Sequence, residues 1–220
     1  MQSSPQRSVR LLKYQSKPSS GVGVEVIFDA EEDIHLLLDD LRWLTDLAAV
    51  RIPTEFFVLA LWEGCSTPQL LTLAQDAVAR GLAAKLCITV SARERPADDV
   101  LSELQSLGIR VLLGGIGSDA RFCDIADSLI DGIVVDSSLV SSASGDPRAA
   151  SVLEAITTLA RNMGLRTFAS RCSHEAELDY AMSCGVDFLT LEINRFAGVP
   201  MRPAVEATVE NARLERPAHQ

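Results

Sequence analysis

The chain has 220 residues, of which 47% are hydrophobic and 23% are charged, and its formal net charge is −10 at pH 7. This length and composition fit one globular domain with a large core. The acidic balance argues against a nucleic-acid backbone or an anionic membrane surface as the direct partner. We therefore expect one domain over residues 1–220, with polar, frayed ends at 1–7 and about 203–220.

Cysteine usage and hydropathy indicate the compartment. The five cysteines are scattered and lack CxxC spacing, which is typical of reduced thiols in a cytosol. No apolar run is long enough to span a bilayer, and the first ten residues lack the apolar stretch of a signal peptide. The sequence predicts a soluble, cytoplasmic protein.

The first third of the chain predicts a hairpin followed by helix and strand. A turn-rich segment at 17–21 separates two apolar alternating runs, which is a hairpin signal. Ser66, Thr67 and Pro68 form a helix-start pattern. The predicted elements are strands 9–15 and 22–28, helix 32–49, strand 56–62 and a helix that ends at Leu82.

The rest of the chain alternates strands with helices. Gly108, Gly164 and Gly185 each follow an apolar helical face, where left-handed caps occur. The predicted strands are 85–91, 110–116, 132–136 (or to 138), 166–171 and 187–193, and the predicted helices are 96–107, near 120–127, 147–163 and 174–184.

Strands that alternate with helices imply a parallel sheet. Eight strands with short connections favour a closed (β/α)8 TIM-like barrel, in which the opening hairpin makes one strand antiparallel to its neighbour. An open doubly wound sheet is the alternative. No GxGxxG or GxxxxGK[ST] motif follows any strand, which weakens a nucleotide-binding version of that fold.

Several segments match, in order, the motifs of one known family. LCITVS at 86–91 is similar to that family's LEITES, and LGIRVLLGGIG at 107–117 to LGIRIALDDFG. IVVDSSLV at 133–140 is similar to LKIDRSFV, GLRTFASRCS at 164–173 to GLRVVAEGVE, and GVDFLTL at 185–191 to GCDYAQG. Upstream, Tyr14-Gln15 resembles YQP, and Glu25-Val26-Ile27 stands where Glu-Ala-Leu would. Through these motifs the chain resembles the EAL family of cyclic-di-GMP phosphodiesterases.

The resemblance implies a barrel of EAL type and a site with two divalent metals that activate water against a phosphodiester. Glu25 aligns with the first metal-binding Glu, and Asp136 also remains. The family's other signature side chains are replaced at Asp29, Cys87, Val90, Gly114, Gly115, Val134, Ser170 and Thr190, and no Asn stands in 56–62. Carried over in this way, the motifs imply a degenerate phosphodiesterase scaffold that is not an enzyme and holds no metal or other cofactor.

Two residue pairs have competing interpretations. Glu25 and Asp136 are either a remnant of an ancestral metal site, or a hydrogen-bonded carboxylate and a loop-start cap. Cys172 and His174 are two residues apart in one loop and could mimic a Cys–His nucleophile, although no third orienting group is evident. The alternative is a half-buried thiol and a helix-start histidine.

The leading functional hypothesis is a catalytically inactive EAL-like regulator. It would bind a regulatory protein partner in bacterial signalling, controlling motility, biofilm or transcription. Leu36, Trp43 and Leu47 extend the apolar surface of helix 32–49 beyond one stripe, which makes them the candidate interface.

Two other hypotheses come from different classes. The first is a non-hydrolysing cyclic-di-GMP receptor that uses Gln15, although Asp29 in place of Arg predicts weak or absent binding. The second is an enzyme with new chemistry in the same barrel, for which no acid–base pair is evident.

Overall fold

The fold is a closed eight-stranded barrel, as the sequence predicts. The computed structural model describes residues 7–14, 22–28, 38, 42, 54–60, 65–118, 125, 129–172 and 175–191. The barrel strands follow one another in chain order. They are β1 Arg7–Tyr14, β2 Val22–Phe28, β3 Thr54–Ala60, β4 Leu86–Ser91, β5 Arg110–Ile116, β6 Gly132–Val135, β7 Arg166–Cys172 and β8 Phe188–Leu191.

Strands β2 to β8 run parallel to one another, and β1 closes the barrel. β1 is antiparallel to both of its neighbours, with Leu11 opposite Val24 of β2 and opposite Leu191 of β8. The carboxyl ends of the seven parallel strands therefore meet at one end of the barrel, which we call the carboxyl face. In barrels of this class, functional side chains are found on that face.

Helices of the described part cover the outside of the barrel. They are α1 Thr67–Ala79, α2 Asp98–Ser106, α3 Ser137–Ala143, α4 Pro147–Asn162 and α5 Glu175–Ser183, with a 3-10 turn at Ala83–Lys85. α1 begins with a capping box between Ser66 and Gln69, and Asp146 caps α4 by accepting a hydrogen bond from the Arg148 N–H. None of these helices is long and apolar enough to cross a membrane.

The prediction that three helices end at glycines in the left-handed conformation is confirmed. Gly108, Gly164 and Gly185 have φ of 84°, 73° and 91°, which lie in the left-handed region. A glycine adopts this conformation without the clash that a Cβ would cause, so it ends a helix and turns the chain into the next strand.

Two apolar layers hold the fold together. Alternate strand residues face opposite sides of the barrel wall. One set packs with the helices in the outer layer, and the other forms the barrel interior. The interior cluster consists of Phe56, Val58, Cys87, Leu112, Phe168 and Phe188. The ring centroids of Phe168 and Phe188 are 4.7 Å apart, and those of Phe56 and Phe188 are 5.1 Å apart.

Several predicted boundaries differ from the structure. β1 begins at Arg7 and β3 at Thr54, each two residues before the predicted start, and α1 ends at Ala79, three residues before the predicted end. β6 ends at Val135, and the predicted strand to 138 overlaps the start of helix α3, which the sequence did not predict. The chain turns at Asp136 because its side chain caps that helix. Predicted helices 32–49 and 120–127 lie outside the described residues, except for Leu38, Arg42 and Ile125.

Candidate functional site

The strand register determines which side chains are neighbours near the carboxyl face. Ser91 at the end of β4 pairs with Gly114 of β5, and Ile116 at the end of β5 pairs with Val135 of β6. Cys172 at the end of β7 pairs with Leu191 of β8. Most of the strand ends that the structure describes thus carry small or apolar residues.

Asp136 is a carboxylate at the carboxyl face, and the structure describes several of its hydrogen bonds. Its Oδ1 accepts hydrogen bonds from the Ser138 N–H at 2.8 Å and the Ser138 hydroxyl at 2.5 Å. Its Oδ2 accepts from the Ser118 hydroxyl at 2.9 Å, and its backbone N–H donates to the Ile116 carbonyl. Asp136 therefore caps α3 and fixes the loop after β5 to the end of β6, as the capping interpretation expects.

Glu25 lies on β2, in register with Arg10 of β1 and Val58 of β3. Val58 pairs in turn with Cys87 of β4. Glu25 and Cys87 therefore occupy one level of the barrel wall, two strands apart. The side chain of Glu25 lies outside the described part of the structure.

Cys87 stands where the resemblance places a metal-binding glutamate. Its side chain is fully buried in the barrel interior. Burial raises the pKa of the Cys87 thiol to about 11, with Arg110 opposing the shift and Asp131 adding to it. The thiol is thus protonated at neutral pH and packs as a small apolar group.

Gly114 and Gly115 stand where the resemblance places an Asp-Asp pair. Gly115 has φ of 78°, and the register of β5 against β6 shifts between Leu113 and Ile116. A Cβ at Gly114 would lie 3.0 Å from Cγ2 of Thr89 on β4. These glycines allow the end of β5 to bulge and to lie close to β4.

The described residues at the aligned ligand positions do not match a site for two hard divalent cations. Such cations need oxygen ligands, and Cys87, Gly114, Gly115 and Val134 supply none from their side chains. Both carboxylate oxygens of Asp136 already accept hydrogen bonds. Within the described ranges, no group of three or more His, Cys, Asp or Glu side chains is arranged to hold a metal ion.

Cys172 is buried, with 1% of its surface exposed. Burial is the main cause that raises the pKa of its thiol to about 11, and the charge of Glu177 is the smaller cause. A protonated, buried thiol is a weak nucleophile, so the structure favours the non-catalytic interpretation of Cys172. His174 lies outside the described residues.

Like His174, several other predicted site residues are not described by the structure. Gln15, Asp29, Leu36, Trp43 and Leu47 lie outside the described part of the chain, as do the side chains of Ser170 and Thr190. Their roles stay predictions. Ser118 and Ser138, which donate hydrogen bonds to Asp136, were not predicted as site residues from the sequence. The Asp-Ser-Ser sequence at 136–138, which is an N-cap pattern, was the signal for Ser138.

The chain belongs to the EAL domain family, whose profile matches residues 38–190. Solved structures show the same fold. One is the EAL enzyme Bd1971 with cAMP and cyclic-di-GMP bound, at 14% identity and TM-score 0.75. The alignment covers 92% of this chain and 64% of Bd1971, so the chain spans less than two thirds of that relative's length.

Two further structures are covered almost completely. The EAL domain of Mycobacterium smegmatis DcpA has 13% identity and TM-score 0.72, with 94% of this chain and 98% of that one covered. The PaMucR phosphodiesterase in complex with cyclic-di-GMP has 13% identity and TM-score 0.68, with 90% and 94% covered. Among curated proteins, no match was found.

The family assignment corrects one expectation. From the sequence we expected that this chain is not an enzyme, and that expectation is contradicted. It was based on side-chain identities at a few aligned positions. The assignment rests on 153 residues of the domain (38–190), and the family it identifies, which includes phosphodiesterases, points to an enzyme.

Proposed function

We propose that this EAL-family protein acts in bacterial cyclic-di-GMP signalling by binding a regulatory protein partner. The proposed binding surface is on the outer side of the predicted helix 32–49. Motility, biofilm formation and transcription are the processes such a partner would control. The proposal is tested by measuring how tightly this chain binds its protein partner.

The observation that supports this surface is the burial of Leu38. Its side chain is fully buried in the outer apolar layer, whereas Arg42, also helical, is exposed. The Arg42 guanidinium donates to the backbone carbonyl of Arg80 just after α1. Leu38 therefore defines the core side of this segment, and Arg42 connects it to the end of α1.

Helical geometry relates the candidate interface to Leu38. At about 100° per residue, positions 36, 43 and 47 of a continuous helix fall about 140–180° from position 38. Leu36, Trp43 and Leu47 would then form an apolar stripe on the side away from the core. An exposed stripe with a central tryptophan is typical of a protein-binding surface, because aromatic anchors dominate binding energy.

Charge suggests the kind of partner. The net charge of −10 favours a partner with a basic or mixed surface, because complementary charge speeds encounter. A partner of that kind would associate more slowly as salt is added, since screening weakens attraction between exposed charges.

A second candidate function is a receptor for cyclic-di-GMP, supported by the two structural neighbours solved with that ligand. Gln15 is the retained contact that the resemblance implies. Asp29 in place of Arg would repel a dianionic ligand, so we propose that the affinity is low. Calorimetric titration of cyclic-di-GMP, alongside titration of the partner, separates the two candidates.

The decisive experiment has two stages. Cross-linking in the native host, followed by mass spectrometry, identifies the partner and the cross-linked peptides. Calorimetry then measures the affinity of the purified partner for the wild type and for Trp43→Ala. The proposal expects cross-links within 32–49 and a large loss of affinity, whereas cross-links confined to the carboxyl face would contradict it.

A further inference from the structure

Basic residues lie at the end of the barrel where the parallel strands begin, which we call the amino face. Arg110 is the first residue of β5, and Arg166 is the first residue of β7. Leu112 and Phe168, each two residues further along, belong to the interior cluster. Because side chains alternate along a strand, both arginines occupy positions that face the barrel axis. Lys85 directly precedes β4, the strand next to β5, and adds a third positive charge at this rim.

Acidic residues of the amino face occupy the alternate positions. Glu55, Asp131 and Asp187 each come one residue before an interior-facing position, so they lie on the outer side of the barrel wall. Asp131 accepts a hydrogen bond from the Val111 N–H, and Asp187 accepts from the Thr167 N–H. The side chains that face the axis at the starts of β5 and β7 are therefore positively charged, although the whole chain is acidic.

The guanidinium group of Arg110 is half-buried and keeps most of its hydrogen-bond donors. Its Cζ lies over the ring of Phe56, 5.6 Å from the centroid, and its Nη2 donates to the Ala84 carbonyl at 3.4 Å. Among the residues that the structure describes, no carboxylate forms an ion pair with Arg110, Arg166 or Lys85. A guanidinium carries five N–H groups, so the arginines retain donors for an anion.

Gly132 leaves space between the two arginines. It is the first residue of β6, which lies between β5 and β7, and it pairs with Leu112 and with Arg166. An added Cβ would lie 2.6 Å from the Arg166 carbonyl oxygen and 3.0 Å from Cδ2 of Leu112, so this position has no room for a side chain. Neighbouring strands are about 4.8 Å apart, which separates β5 from β7 by about 10 Å. Two long arginine side chains can contact one anion across that distance.

We propose that the amino face binds a phosphate group between Arg110 and Arg166, with Lys85 at its edge. Guanidinium groups match phosphate oxygens with paired N–H donors, and a multivalent anion offsets three cations better than a single carboxylate does. The buried rings of the interior cluster fill the barrel beside Arg110, so this site is separate from the carboxyl face. The proposal does not depend on the partner proposed for helix 32–49.

Phosphorus NMR titrations of the full chain at low ionic strength test this proposal. Inorganic phosphate and glycerol 3-phosphate are the two probes, and we expect saturable binding with a dissociation constant of about 1 mM or tighter. Binding of glycerol 3-phosphate identifies a phosphate ester as a source of the group, and binding of inorganic phosphate alone identifies the free ion. If neither probe binds saturably, the proposal is overturned.

Arginine variants provide the matched comparison. Arg110→Met and Arg166→Met each remove one guanidinium group and are expected to weaken phosphate binding by about fivefold or more. Arg148→Met is the control, because Arg148 is exposed at the start of α4, at the other end of the barrel. The control is expected to keep the wild-type affinity within about twofold. Equal weakening by Arg148→Met and Arg166→Met would show a nonspecific charge effect and overturn the proposal.

A footprint on the wild type covers the case in which Arg110→Met does not fold. An N-hydroxysuccinimide ester of acetate modifies lysines, and mass spectrometry measures the rate at Lys85. Saturating phosphate is expected to slow modification of Lys85 by about threefold or more, relative to sodium chloride at the same ionic strength. Arg166 is exposed, so Arg166→Met removes no buried contact. Either an unchanged rate at Lys85 or wild-type affinity in Arg166→Met would overturn the proposal.

Discussion

The carboxylate of Asp187 joins the first residues of β8 to the start of β7 through Thr167. Oδ2 of Asp187 accepts from the Thr167 N–H at 2.8 Å and from the Thr167 hydroxyl at 2.9 Å, and the Asp187 N–H donates to that hydroxyl oxygen. Asp131, just before β6, likewise accepts from the Val111 N–H of β5 at 2.8 Å. Both contacts lie at the end of the barrel opposite the carboxyl face, where side chains serve stability.

The first prediction concerns Asp187. Asp187→Ala should lower the free energy of unfolding by about 1–3 kcal/mol, because Thr167 is 1% exposed and would keep unpaired donors. Urea denaturation followed by circular dichroism measures this change. Asp179→Ala, at an exposed position of α5, is the control and should change stability by less than about 0.5 kcal/mol. Equal effects of the two substitutions would contradict this account of Asp187.

The second prediction concerns Gly117, in the loop after β5. It has φ of 101°, and an added Cβ would lie 2.6 Å from Cδ2 of Leu139 on α3. Gly117→Ala should therefore cost about 1–3 kcal/mol of stability. Gly145→Ala is the matched control, because a Cβ there meets no atom within 4 Å. Thermal unfolding of both variants should show a lower midpoint for Gly117→Ala alone.

The sequence predicted the barrel because its main signals are local. Apolar runs bounded by turn residues define the strands, and Gly108, Gly164 and Gly185 mark the helix ends. Helix α3 was missed because the strand was predicted to continue through Asp136, Ser137 and Ser138, whereas the side chain of Asp136 caps a helix that begins at Ser137.

The candidate site was only partly predictable. The resemblance identified Glu25 and Asp136 as the retained positions of the site, and the structure shows how Asp136 is hydrogen-bonded. The raised pKa of Cys87 could not be predicted from the sequence, because it depends on burial by residues from β3, β5, β7 and β8. The inference from missing ligands to a protein that is not an enzyme was wrong, since family membership points to an enzyme.

The third prediction concerns cysteine reactivity and its dependence on pH. Burial raises the pKa of Cys87 and of Cys172 from 9.0 to about 11. Because the thiolate is the reactive form, iodoacetamide at pH 7.5 should leave both residues unmodified in the folded protein. Their labelling rate should rise as the pH is raised toward about 11.

Mass spectrometry of labelled peptides checks this prediction. Cys65, which is partly exposed, should label faster than Cys87 and Cys172. All five cysteines should label in urea, which shows that the reagent is active. Rapid labelling of Cys172 at pH 7.5 in the folded protein would restore the nucleophile interpretation of that residue.

The fourth prediction concerns cyclic-di-GMP. Asp29 stands where the family's arginine would, and the chain carries a net charge of −10. Repulsion between the ligand phosphates and this carboxylate should keep the dissociation constant above about 1 μM, which corresponds to roughly −8 kcal/mol. Asp29→Arg should tighten binding in calorimetric titration. Submicromolar binding by the wild type would show that Asp29 does not face the ligand.

The central claim is our proposal that a regulatory protein binds the outer side of the predicted helix 32–49. The most direct test is the affinity of the identified partner for Trp43→Ala and for Glu25→Ala, with circular dichroism confirming that both variants fold. We predict that Trp43→Ala weakens binding by about 2 kcal/mol or more, the scale of an interface hot spot, and that Glu25→Ala leaves it unchanged. Loss of binding in a folded Glu25→Ala, with Trp43→Ala unaffected, would contradict the claim and place recognition at the barrel.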